Sequence, residues 1–181
     1  MAGAEFVRAG VAMATTRRNA IVSILFVVFG GPGILLVYLP LWMTGFRVLP
    51  GEPAWQVLLA SVLMLLGLVP LFESIVRFIR VGRGTLVPTT PTEHLVVSGL
   101  YRFVRNPMYT GVFTVLVGEV LLFESRALAE CAVLVWLGMH LFVCFYEEPT
   151  LTRRYGGEYL LYRRNVPRWL SRITPWKGDA R

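Results

Sequence analysis

Four long apolar stretches separated by polar segments dominate the pattern along the chain. They cover about residues 20–45, 55–80, 108–124 and 127–147. Apolar runs of this length read as membrane-spanning helices, so the pattern predicts an all-α integral membrane protein of about four transmembrane helices. The sequence Gly30-Gly31-Pro32-Gly33 inside the first run should kink or break it, because proline removes a backbone donor and crowds the preceding turn. The third run is short: seventeen residues rise about 25 Å, less than the roughly 30 Å hydrocarbon core. Only Glu124-Ser125-Arg126 separates the third and fourth runs, which must therefore form an antiparallel helical hairpin (108–124/127–147). Residues 81–98, VGRGTLVPTTPTEHLVVS, are the one long polar connection, kept partly extended by Pro88 and Pro91. The GRG at 82–84 is too short for a phosphate-binding loop. A C-terminal helical tail completes a single domain spanning 1–181.

Composition agrees with the pattern. Of 181 residues, 55% are hydrophobic and 16% charged, and the mean hydropathy is +0.60. The charged share is well below the roughly 25% of soluble domains. The net charge of +7 would suggest nucleic acid in a soluble protein. Here the charges flank apolar runs, so membrane lipids are the expected partner and nucleic acid is not. With the N-terminus in the cytoplasm, sixteen of the eighteen Lys and Arg fall on that side, and only Arg47 and Arg126 fall opposite. The positive-inside rule then places both termini in the cytoplasm. The arginine pair in TTRRNA (15–20) is read as the anchor of an uncleaved first span, since the apolar run after it is too long for an export signal. Cys131 and Cys144 share one apolar run and read as buried small side chains. With only His94 and His140 besides, no metal site is expected.

Several polar groups break the membrane pattern. Glu147 and Glu148 end the fourth run, where the helix already carries partial negative charge, and Pro149 deprives the Phe145 carbonyl of its partner. These features suggest a site; the alternative is a helix end whose acids pair with Arg153 or Arg154. Glu73 and Arg77 stand four apart and are expected to pair structurally. Glu119 lies deep in the third run and must face the bundle or a wet cavity. His140 is expected to be a hydrogen-bonded core histidine. In the tail, Trp169, Leu170, Ile173 and Trp176 suit a short segment in the membrane interface, the tryptophans as anchors. Tyr155, Tyr159 and Tyr162 would share a face and line something if 150–165 is helical, with Gly156-Gly157 as an interruption.

The motif Tyr-x₃-Arg-Asn-Pro-Met-Tyr-x-Gly at 101–111 resembles the R-H/N-P-x-Y-x-G motif of the isoprenylcysteine carboxyl methyltransferase and phospholipid methyltransferase family. The later stretch EEPTLTRRYGGEYLLYRRNVPRW resembles that family's E-E-x-x-L-x-x-x-[FY]-G-x-x-Y-x-x-Y…V-P signature. The likeness covers about 77–173, and GRGTLVP with NPMY looks most like bacterial members, which implies a bacterial inner (plasma) membrane. It implies S-adenosylmethionine as methyl donor and a lipid or lipid-like acceptor. By this resemblance the cofactor contacts are Glu93, His94, Leu95, Val96, Tyr101, Asn106, Pro107, Met108, Tyr109 and Glu147. The chemistry agrees. A sulfonium cation needs aromatic faces or carboxylates, which Tyr109, Tyr101 and Glu147 supply. Adenine needs a flat apolar slot, from Leu95, Val96 and the tail.

Glu147 and Tyr109 are then the candidate catalytic residues. A carboxylate acceptor needs no base, whereas an amine acceptor must lose a proton, to Glu147 or Glu148. Two positions depart from the family pattern. Asn106 replaces its frequent His and cannot titrate. Val143 stands where eukaryotic prenylcysteine enzymes carry a substrate-binding arginine, which argues against a prenylcysteine acceptor. Glu148, Arg153, Arg154 and Arg163 are the candidate acceptor-binding residues, suited to a different anionic headgroup. The competing readings are an NADPH-dependent membrane reductase of the sterol-reductase type and a non-catalytic protein that binds lipid or a partner through its basic tail.

Overall fold

The computed structural model describes residues 21, 22, 24, 25, 28–48, 51–80 and 95–178, with the backbone alone for 78–80. Every regular element among them is helical. Helix α1 is Gly31–Thr44, α2 Ala54–Arg80, α3 Pro107–Phe123, α4 Arg126–Tyr155 and α5 Gly157–Asn165, with a 3₁₀ turn at Gly99–Arg102. Residues 21, 22, 24, 25, 28 and 29 are helical as well, and Gly30 (φ −113°, ψ −142°) leaves helical geometry before α1 starts. The kink expected at the glycine-proline sequence is therefore a break at Gly30.

Among the described residues two helices, not four, are long and apolar enough to cross a membrane by length and composition: Ala54–Arg77 within α2, and Arg126–Tyr155. The break at Gly30 shortens the first run, and α3 has only seventeen residues. The hairpin of α3 and α4 forms as expected. Glu124 takes a left-handed conformation (φ 46°), and the Ser125 hydroxyl accepts the Leu128 N–H to start α4.

The fourth run corrects a boundary. Pro149 does not end it: α4 continues through the proline to Tyr155. A π turn over Val143–Glu147 lets the Glu148 N–H reach the Val143 carbonyl, so the ladder is already loosened where proline would break it. The same device precedes Pro40, where the Leu39 N–H bonds the Ile34 carbonyl. Glu147 and Glu148 thus sit inside a continuous helix, and the unfavourable helix-end argument for them does not apply.

The core lies where α2, α3 and α4 meet, around Leu71, Ile75, Val112, Leu116 and Ala132. α2 and α3 approach closely through glycine. A Cβ on Gly111 would stand 2.6 Å from the Gly67 carbonyl oxygen, and one on Gly67 2.6 Å from that of Gly111. Away from this seam, α2 and α4 expose Leu58, Leu65, Phe72, Leu134 and Phe145, an apolar exterior suited to lipid. A second cluster, Tyr159, Tyr162 and Val166, joins α5 to Leu95 and Val97. Tyr159 is therefore a core side chain, Tyr162 is buried in the same cluster while also bordering a cleft, and Gly156 (φ 54°) breaks the helix between them and Tyr155.

Residues 166–178 of the tail are not helical. They run back along the Asn-Pro motif as a strap. The Arg105 N–H bonds the Pro167 carbonyl (2.9 Å), the Arg172 N–H that of Phe103 (3.0 Å), and the Trp176 N–H that of Arg102 (2.9 Å).

Candidate active site

The site forms where the start of α3 meets the end of the π turn of α4 and the residue after it. Pro107 opens α3 at its first position, where a missing N–H costs nothing. The Asn106 carbonyl accepts both the N–H and the hydroxyl of Thr110, at 3.0 and 2.9 Å. This fixes Tyr109 on the first turn of α3. Its hydroxyl donates to Glu147 Oε2 across the hairpin at 3.1 Å. The two motifs, nearly forty residues apart in sequence, are joined by that bond.

Glu148 lies on the other azimuth of the helix and meets cations. Its Oε1 accepts from Arg105 Nη1 (2.7 Å) and Arg168 Nε (2.6 Å), and its Oε2 from Arg168 Nη2 (2.9 Å). Arg163 Nε stands 3.6 Å from Oε2. Arg105 also donates to the Tyr159 hydroxyl at 3.3 Å. The acids do not pair with Arg153 or Arg154: Arg153 donates to Thr150, Arg154 lies over the Tyr155 ring, and both are exposed. Of the four candidate acceptor-binding residues, Glu148 and Arg163 belong to the site, and Arg153 and Arg154 stand outside it.

The other candidates divide. Tyr101 is buried, and burial holds its phenol well above its ordinary pKa, so it stays neutral. Its carbonyl accepts the Tyr162 hydroxyl at 2.7 Å. The Asn106 side chain donates to the Arg168 carbonyl at 3.1 Å and ties the strap to the motif. Met108 packs on the main core, and Pro107 and Val96 are buried. Leu95 and Val97 border a cleft of about 570 Å³ whose walls include Arg102, Tyr162, Trp176 and Lys177. Glu93 and His94 lie outside the described residues.

Sequence reasoning missed Arg168, which sits beside Glu148 only because the strap folds back. It also missed the role of Trp169, whose indole N–H donates to His140 Nδ1 at 3.1 Å and whose ring packs on Trp136 at 4.6 Å between centroids. The expectation of a hydrogen-bonded His140 is met by that contact. Glu73 pairs with Arg77 as expected, beside Gly99, where a side chain would collide with both. Glu119 is buried with Oε2 unpartnered among the described residues, about 15 Å along α3 from Tyr109 and apart from the site. No group of three potential metal ligands occurs among the described residues.

Comparison with curated proteins and with solved structures finds no match. A family model described as phospholipid methyltransferase matches residues 55–158, more than half of the chain and the stretch that carries α2, the hairpin and both glutamates. The chain belongs to the phospholipid methyltransferase family.

Proposed function

We propose that this protein is an S-adenosylmethionine-dependent membrane methyltransferase that methylates a carboxylate or amine of a lipid or lipid-like acceptor at the cytoplasmic face. Family membership supports methyl transfer to a lipid. The observation that carries the finer reading is the 3.1 Å bond from Tyr109 to Glu147, which brings the two halves of the expected donor site together.

The residues present fit the donor. Tyr109 and Glu147, both half-buried, offer a phenol and a carboxylate suited to a sulfonium cation. Leu95 beside a cleft edged by Tyr162 and Trp176 offers the apolar and aromatic surface that adenine requires. When bound, the donor supplies a methyl group already activated by the sulfonium. The chain must therefore align the acceptor, exclude water and manage a proton. Tyr109 fixes the Glu147 carboxylate by its hydrogen bond. With an amine acceptor Glu147 takes the ammonium proton; with a carboxylate acceptor it remains a counter-charge.

Calorimetry on the detergent-purified chain with S-adenosylhomocysteine tests this. The native protein should bind it, and Tyr109→Phe and Glu147→Gln should each weaken binding of S-adenosylmethionine, which carries the sulfonium, about tenfold with helix content unchanged. Binding of NADPH instead would favour a reductase, and unaltered affinity in both variants would remove these two residues from the site.

A further inference from the structure

We propose that Arg105, Arg163 and Arg168 form an oxyanion-binding site, to be filled by the phosphate of a lipid headgroup or the carboxylate of the methyl donor. Three guanidiniums converge on one carboxylate, that of Glu148, which is 3% exposed. One carboxylate neutralises one of them. Counting the adjacent Glu147, which is engaged by Tyr109, the cations remain in excess. Clustering cations beyond their counter-charge is unfavourable in a partly buried place, and an incoming anion relieves it.

A second observation points the same way. The Arg105 side chain is 9% exposed, and its Nε is buried without a hydrogen-bond partner among the described residues. A buried donor left unmade costs free energy, and an acceptor from outside the chain would satisfy it. The cluster also opens outward: side-chain exposure rises from 9% at Arg105 to 27% at Arg168 and 47% at Arg163. Arg163 is also the cation farthest from Glu148, at 3.6 Å, so it is the freest to turn to a ligand. Glu148 follows Glu147 directly on α4, so the cluster stands one residue, about 100° of helix turn, from the Tyr109–Glu147 pair. The donor as one occupant rests on the proposed function; the headgroup as the other does not.

The test uses the full chain in detergent, with Arg163→Gln and the charge-retaining Arg163→Lys. Glu148 keeps its two shorter partners in both, so the fold is not at stake. One arm compares S-adenosylhomocysteine with methylthioadenosine, which lacks the amino-acid carboxylate, by calorimetry. The other titrates tryptophan fluorescence with dihexanoyl phosphatidic acid against dihexanoylglycerol. Arg163→Gln should weaken the anionic ligand of one arm about tenfold, leave its uncharged-end control unchanged, and be partly rescued by Lys. Loss confined to S-adenosylhomocysteine assigns the donor carboxylate, and loss confined to phosphatidic acid assigns the lipid phosphate. No change in either arm overturns the site. Failure of the native chain to bind S-adenosylhomocysteine would sink the methyl-donor reading, while the phosphatidic acid arm would still decide this one.

Discussion

At position 147 the carboxylate meets a phenol, and at position 148 it meets three guanidiniums. The sequence shows only two adjacent acids. Tyr109 and Glu147 were named because each sits in a motif that resembles the family's, and the structure brings their side chains together. Arg168 was not, because its contact depends on a strap that no local pattern announces. Gly111 closes the Asn-Pro motif, yet its structural task is contact with Gly67 on α2. Gly111→Ala would drive a methyl group against that carbonyl. It should cost about 1–3 kcal/mol, read as a lowered unfolding midpoint in detergent. An unchanged midpoint would mean that α2 and α3 separate freely.

Among the elements, α2, α3 and the start of α4 followed from the apolar runs, with bounds within a residue or two of those expected, whereas α4 runs eight residues past the expected end. The count of spanning helices did not, because Gly30 breaks one run and α3 is short. Pro149 misled for a physical reason. Proline ends a helix only if the preceding ladder is intact, and here a π turn has already shifted it. Pro149→Ala restores the N–H that the Phe145 carbonyl lacks and lets Val143–Glu147 relax toward α geometry. One residue fewer in the turn swings the acids by about 100°. Methyl transfer should fall about 10²-fold while thermal stability holds or rises. Retained turnover would show that the acids do not depend on the π turn.

Across the molecule, residues 166–176 tie α4 and α5 to the start of α3. The ties are backbone bonds to residues 102–105, the Asn106 amide on the Arg168 carbonyl, and Trp169 against His140 and Trp136. Periodicity could not foresee this, since the strap is neither helix nor strand and its partners are distant in sequence. Trp169→Ala removes one hydrogen bond and one ring contact. Trypsin should then cut at Arg168 or Arg172 roughly tenfold faster in the folded protein, with α2 and α4 intact. Equal rates would mean that the backbone bonds alone hold the strap.

Leu170 and Ile173 project from this strap, 81% and 98% exposed. Like a float fixed to a keel, the strap ties the height of these two side chains to the height of the Tyr109–Glu147 pair. Whatever layer they sink into sets the draught at which the whole site rides, and so which part of an incoming lipid comes level with it.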